Sequence, residues 1–342
     1  MWQSRVEGPL ALDALLARRP DPGTVQVVAL GTFDGVHRGH QAILAQARQR
    51  AETLKSNAEG ALRPVLTCFT FDRLPLEIVA PERAPARLNT AETRYRRLVE
   101  AGADRIVVAR FDQAFSRLSA EQFVRDIVAR ALGASVVVVG YDHTFGYQGE
   151  GNAQLLWELG IRYGFEVVQV DPIEIGREAV SSSRIRELLL KGDCLGAKEL
   201  LGYPFSLEGR VVRGEGRGRT LGYPTANVHP EDGLIIPADG VYLSAFERAD
   251  GDPLGAGLTI ISEKPTFGYH QRTVEGYILD FDGDLYGEEI RIVFFDRLRG
   301  IVRFDGPEQL KRQIEQDVAA ARRRLAEAKK EAGLSFTLRR SM

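Results

Sequence analysis

ALGTFDGVHRGHQAIL (Ala29–Leu44) decides how the first half of this chain folds. It opens at the end of an apolar, β-branched run, Val25–Leu30, passes through a glycine-containing turn, and from Gly39 places apolar residues at three- and four-residue intervals. A buried strand, a short loop and an amphipathic helix in direct succession begin a βα unit. The alternation persists downstream. Strand-like runs at Val65–Phe69, Arg105–Ala109, Ser135–Val139 and Glu166–Val170 are separated by helical patterns at Thr90–Ala101, Ala120–Ala131 and Ala153–Tyr163, and another helix begins near Ser183. Continuous apolar strands spaced by helices predict an α/β doubly wound parallel sheet covered on both faces.

In such a sheet, ligands bind outside the carboxyl ends of the strands, where a helix N-terminus offers free N–H groups to a phosphate. His37 and His40 are three apart at that place, so both imidazoles can face one ligand and stabilise charge on a phosphate in transfer. Read alone, one of them is equally a helix cap or a surface group, or the pair are metal ligands, although no third Cys or His is near in sequence. SSSRIREL (Ser181–Leu188) has the same two readings: a plain N-cap with a solvated arginine, or a second anion-binding helix start.

After Gly202 the rhythm changes. Ser206–Val212, Val241–Phe246, Gly257–Ser262, Thr273–Phe281 and Glu288–Phe295 are strand-like with no helix between them, which predicts an antiparallel barrel or sandwich. The Asp-Gly pair of DFDGDLYG (Asp280–Gly287) suits a tight hairpin. A final helix from Pro307 to about Glu331 carries Leu310, Ile314, Val318, Ala321, Leu325 and Ala328 on one face, ready to pack on the strands. GRVVRGEGRGRTLGYPTANV (Gly209–Val228) holds five glycines between 209 and 222 but no Walker A lysine, so glycine spacing alone reads as a flexible hairpin loop. PTAN (Pro224–Asn227) adds a hydroxyl and an amide oxygen two residues apart on one face of an extended segment, both oxygen ligands suited to Mg²⁺. Glu275 is a carboxylate inside a run of β-formers: either a solvated strand residue or a base for a substrate hydroxyl.

Composition sets the frame. The 342 residues allow two domains, and 45 Lys plus Arg against 47 Asp plus Glu leave no excess positive charge for a nucleic-acid backbone. Two cysteines, Cys68 and Cys194, without a CxxC pair, fit cytosolic usage. No apolar run reaches the ~18 residues of a membrane span, and the first twenty residues do not read as a leader, so a cytoplasmic protein with no membrane partner is expected. The expected division is 1–186, a linker at 187–203, a second domain at 204–332 and a tail at 333–342.

HRGH resembles the HxGH motif of the nucleotidyltransferase superfamily, and SSSRIR is similar to its downstream Ser-Ser-Thr-x-Ile-Arg signature. GTFDGVHRGH, RYRRL (Arg94–Leu98), FDQAFSRLSAEQFV (Phe111–Val124) and VGYDHTFGYQGEGN (Val139–Asn152) together resemble the adenylyltransferase half of the bacterial bifunctional riboflavin kinase/FAD synthetase family. The resemblance implies that Gly31, Phe33, Asp34, His37 and His40 surround the ATP phosphates and nucleoside. It further implies that Ser181, Ser182, Ser183 and Arg186 hold the polyphosphate, and that Asp142 sits at the nucleotide or flavin pocket. LGYPTAN, TVE and DFDGDLYG are similar to the riboflavin kinase domain, a six-stranded antiparallel β-barrel with a C-terminal helix. There the resemblance implies that Thr225 and Asn227 hold Mg²⁺ with ATP, that Gly214, Gly216, Gly218, Gly222 and Pro224 wrap the nucleotide and flavin, and that Glu275 activates the ribityl hydroxyl.

The chain departs from the family pattern in several places. FDRLP (Phe71–Pro75) replaces Phe-x-Pro-His-Pro, His143 replaces an aromatic Phe, and Ser183 replaces Thr. In the second half, Ile260 and Ser262 replace Asn and Gly, and Gly276-Tyr277 replaces an apolar-His pair. The expected function is phosphorylation of riboflavin to FMN and adenylylation of FMN to FAD, with riboflavin, FMN and ATP as small-molecule partners and self-association left open. The alternatives are retention of one activity only, or a flavin-binding regulator.

Overall fold

The computed structural model describes residues 3–57, 63–214, 218, 222–266 and 269–332; Gly216 and the tail at 333–342 lie outside them. The chain divides into two compact units, Met1–Ser182 and Ser183–Met342.

The first unit is built on six strands: β1 (Val6–Leu10), β2 (Thr24–Leu30), β3 (Arg63–Phe71), β4 (Arg105–Ala109), β5 (Ala134–Gly140) and β6 (Glu166–Val170). They lie in the order β1-β4-β3-β2-β5-β6, and every pairing is parallel. The chain winds outward from β2 through β3 to β4, then returns to place β5 on the other side of β2. The order therefore reverses at β2, the position at which ligands bind in open sheets of this kind. Alternate residues of β2 serve opposite cores. Val27 and Ala29 pack with Ile43, Leu44 and Ala47 of the Arg38–Asn57 helix, while Val28 and Leu30 join Phe69, Val107, Ile127 and Leu156 on the other face. Burial on both faces is why the run is apolar throughout instead of alternating.

β1 was not among the expected strands. VEGPL has no apolar run, and its proline is tolerated because β1 pairs only with β4, at the sheet edge. The expected Ala120–Ala131 helix is a short α-turn, Ala120–Gln122, that runs into a π-helix, Phe123–Ala131, with Leu132 N–H donating to the Ile127 carbonyl at 2.8 Å. The wider turn still buries Phe123, Val124, Ile127, Val128 and Ala131.

A two-stranded ribbon, β7 (Glu174–Ile175) and β8 (Glu178–Ala179), precedes the second unit. Residues 187–203, expected as a linker, are largely helical: the Ser182–Lys191 helix ends there and Cys194–Leu201 forms another, capped by the Asp193 carboxylate on Gly196 N–H at 2.8 Å. They are tied to the barrel, since Ala238 N–H donates to the Leu189 carbonyl at 2.9 Å.

The barrel strands are β9 (Ser206–Val212), β10 (Ala226–Pro230), β11 (Gly240–Arg248), β12 (Pro253–Thr266), β13 (Tyr269–Ile278) and β14 (Glu289–Arg299). They close in the order β10-β13-β12-β11-β14-β9, antiparallel throughout. β11 is buried on both sides: Tyr242, Ser244 and Phe246 are fully enclosed, while Val241 and Leu243 pack with Leu258 against Val318, Ala321 and Leu325 of the Pro307–Ala332 helix. β10 contains the PTAN segment's last two residues and was not among the five strand-like runs. The Asp282-Gly283 pair does not make a tight hairpin. β13 stops at Ile278 and β14 begins at Glu289, and the intervening loop is anchored by buried Leu285 and an Asp280–Arg322 ion pair at 2.5 Å. Among the described residues no helix is long and apolar enough to cross a membrane.

Candidate functional site

In the first unit, the chain leaves β2 at Leu30 through a loop that folds tightly. Gly31 N–H still donates to Phe69 of β3 at 3.2 Å, and Phe33, Gly35 and Val36 all take positive φ (52°, 83° and 37°). A side chain at Gly31 would come within 3.1 Å of the Phe33 ring, which is fully buried. Asp34 turns inward: its carboxylate accepts from Leu88 N–H at 2.9 Å, and its carbonyl accepts from the Ser182 hydroxyl at 2.8 Å. The loop is thereby pinned from two distant parts of the chain.

His37 stands just before the helix and His40 within its first turn. The imidazoles stack at 3.7 Å with 17° between planes, and Phe33 meets the His40 ring edge-on at 5.3 Å. His37 Nδ1 accepts the His40 N–H at 3.4 Å, so this histidine caps the start of the helix. An imidazole that accepts through Nδ1 carries its hydrogen on Nε2, which makes His37 Nε2–H a donor. Gly39 lies close beside it: a Cβ there would be 3.1 Å from the His37 ring, a tight contact. Burial, then the neighbouring His37 and Arg94, hold the His40 imidazole well below its usual range, and it is neutral at pH 7.

Around this centre, Ser181 and Ser182 arrive together at the end of the unit, and Ser182 makes the bond to Asp34 already described. Ser183, exposed, and Arg186, half-buried, follow in the first turns of the Ser182–Lys191 helix and belong to the second unit. Asp142 is exposed in the loop after β5, next to β2 in the sheet. In the same loop His143 lies 5.9 Å from Phe145, nearly parallel to it, with its Nε2 buried and unpartnered among the described residues. Burial pushes the His143 imidazole down to about 4. In FDRLP, Leu74 is buried, while Arg73 is half-exposed and pairs with Asp72 at 3.2 Å.

Arg94 received no individual role from its sequence context. The residue is 4% exposed, and its guanidinium reaches the carbonyls of Phe71 at 2.6 Å, Thr32 at 3.3 Å and Asp72 at 3.4 Å. Only the fold reveals these partners, since they are backbone atoms of loops far along the chain.

The second unit builds its site by strand register. Asn227 of β10 stands opposite Glu275 of β13, and Thr225, just before β10, donates its hydroxyl to the Glu275 carboxylate at 3.3 Å. Hydroxyl and carboxylate thus meet, and the register sets Asn227 across from the carboxylate's own residue. The described glycines lie against them: a Cβ at Gly214 would fall 2.1 Å from Asn227 Nδ2, and one at Gly218 would fall 2.4 Å from the Tyr223 carbonyl. The chain at Gly214 and Gly218 therefore lies close against Asn227 and Tyr223. Gly222 has φ 85° and Pro224 is exposed. Tyr277, two residues beyond Glu275, packs edge-on to Tyr223 at 5.4 Å. Gly276 faces the interior, where a Cβ would come within 2.5 Å of Phe246, so an apolar residue there needs Phe246 to shift. Among the described residues no cluster of three His, Cys, Asp or Glu could hold a metal. Thr225 and Asn227 instead offer two neutral oxygens, ligands of the kind that Mg²⁺ takes.

Comparison with known proteins divides the chain at the same place. A model described as FAD synthetase matches residues 21–184, and one described as riboflavin kinase matches residues 201–325. The bifunctional riboflavin kinase/FMN adenylyltransferase of Escherichia coli (strain K12) is 36% identical over 90% of this chain and 94% of its own length. The protein of that description from Pseudomonas fluorescens is 40% identical over 86% of this chain and 92% of its own. A solved structure named macrolide-efflux protein, from Streptococcus pneumoniae, superposes with a TM-score of 0.80 and 30% identity over 93% of this chain and 99% of that one.

Proposed function

The chain belongs to the bifunctional riboflavin kinase/FMN adenylyltransferase family, and from that premise we propose that the barrel phosphorylates riboflavin to FMN with ATP and the parallel-sheet unit adenylylates FMN to FAD. The supporting observation is that each unit gathers its own motif side chains: stacked His37 and His40 at the β2 end in one, Thr225, Asn227 and Glu275 in the other.

In the first unit, a phosphate oxygen of FMN attacks the α-phosphorus of ATP and pyrophosphate leaves. The nucleophile is already an anion, so no protein base is needed; positioning and charge stabilisation carry the step. His37 donates through Nε2 to the phosphoryl group in transfer, and neutral His40 supports it by stacking. Ser181, Ser182, Ser183 and Arg186 bind the polyphosphate, Gly31, Phe33 and Asp34 shape the loop beneath the nucleotide, and Asp142 borders the pocket.

In the barrel, Glu275 takes the proton of the ribityl hydroxyl as its oxygen attacks the γ-phosphorus, and ADP leaves. Thr225 and Asn227 would hold Mg²⁺, which neutralises charge on the transferring phosphate. The loop from Gly214 to Gly222, with Pro224, covers the nucleotide. Two buried free thiols suit a reducing compartment, and we place both reactions in the cytoplasm. Incubating the purified chain with riboflavin, ATP and Mg²⁺ and separating the flavins tests this reading: FMN and then FAD are expected, and the appearance of neither overturns it.

A further inference from the structure

Arg94 is a buried cation whose partners are all neutral. Its terminal nitrogens donate to the carbonyls of Thr32, Phe71 and Asp72, its Nε is buried without a partner, and its guanidinium carbon lies 5.3 Å from the Tyr95 ring centroid. Among the described residues no carboxylate pairs with it. Burying a charge is costly unless an opposite charge compensates, so an uncompensated guanidinium marks a place where an anion arrives.

The location fits such an anion. Thr32 lies in the loop after β2, and Phe71 and Asp72 lie at the end of β3, so the three carbonyls belong to the strand ends flanking the His37–His40 pair. Arg94 is close enough to help depress the protonation of His40. Adenylyl transfer brings an anionic phosphate against an anionic triphosphate, and that approach needs positive charge fixed nearby. A guanidinium held by three carbonyls is also locked in place, so it pays no reorganisation when the reactants meet.

We propose that Arg94 is a positioning residue for adenylyl transfer, which ties the loops after β2 and β3 together and supplies a fixed positive charge beneath the point where the two phosphates meet. The proposal rests on the adenylyltransferase reading of this unit. Through its charge Arg94 offsets repulsion between the reactants, and through its hydrogen bonds it sets where His37 and His40 stand.

Arg94→Gln and Arg94→Lys separate charge from bracing. Glutamine keeps hydrogen-bonding capacity without charge, whereas lysine keeps the charge without the planar fork. With FMN and ATP as substrates, R94Q is expected to lower kcat for FAD formation by about 100-fold and R94K by about 10-fold. Riboflavin phosphorylation by the same samples should stay at the wild-type rate, which controls for enzyme concentration, and an unchanged circular-dichroism spectrum and melt control for the fold of the first unit. The second readout is the imidazole NMR titration of His40: its midpoint should rise in R94Q and hold in R94K. A role in bracing alone predicts equal losses in both variants and an unmoved midpoint in R94Q, and either result overturns the proposal. So does R94Q activity within about threefold of wild type. If R94Q fails to fold, R94K decides: an unmoved His40 midpoint with a loss near 10-fold supports the charge role, and a loss of 100-fold or more overturns it. If the wild-type chain forms no FAD from FMN, the adenylyltransferase reading has failed instead.

Discussion

The two sites of this chain are held together by different means. In the barrel, Asn227 and Glu275 face each other because β10 and β13 pair in one register, and Thr225 joins them from the adjoining residue. A one-residue slip would turn these side chains to the opposite face, so the register that closes the barrel also assembles the site. In the parallel-sheet unit, the functional loop leaves its strand with several residues at positive φ and is pinned by buried bonds instead: Asp34 to Leu88 and to Ser182, Arg94 to Thr32 and Phe71. One site is encoded in a ladder, the other in a handful of long-range contacts. A ladder-built site should fail through loss of its reacting group or through steric intrusion, and a pinned site through loss of charge or of a brace.

Four substitutions can break or sharpen that contrast. The largest effect is expected from Glu275→Gln, which keeps the register but removes the proposed base; riboflavin phosphorylation should fall by about 1,000-fold or more, followed by flavin separation on chromatography. Next, His37→Ala removes the Nε2–H donor and should lower FAD formation from FMN by about 100- to 1,000-fold while FMN formation from riboflavin is unchanged. Loss of both activities in folded H37A would show that the sites are not independent. Gly214→Ala places a methyl group on Asn227 and should cost the kinase on the order of 10- to 100-fold in kcat/KM with FAD formation intact; wild-type kinetics would mean that the glycine loop does not close on PTAN.

The smallest effect is a pH dependence of stability. His143 titrates near 4 in the fold and near 6.5 when unfolded, so the unfolded chain takes up a proton first as the medium is acidified. The contribution of neutral His143 to the stability of the first unit is fully present above pH 6.5 and is lost as the pH falls from 6.5 to 4. His143→Phe, which restores an aromatic ring and cannot protonate, should show a shallower fall of Tm over that window, measured by calorimetry. Identical slopes for the two proteins would mean that His143 is not neutral in the fold.

The β2–loop–helix stretch was readable because its strand is apolar on both faces and its helix follows at once. The barrel strands were readable where Gly, Pro or Asp clusters separated β-branched runs. What escaped the sequence depended on tertiary partners. VEGPL becomes a strand only because β4 offers it an edge. Residues 187–203 look like connection, yet Cys194–Leu201 within them forms a helix of its own. The apposition of Thr225 with Glu275 joins residues 50 positions apart, and no local pattern records it. Arg94 is the clearest case: its neighbours in sequence say helix surface, and its burial comes from carbonyls 22, 23 and 62 positions away.

Two independent nucleotide sites in one chain is the claim on which the rest depends, and it is tested most directly by giving folded E275Q FMN and ATP instead of riboflavin. FAD should form at the wild-type rate, because nothing in the pinned site involves Glu275, the base proposed for the barrel. Loss of FAD formation in that protein would contradict the account.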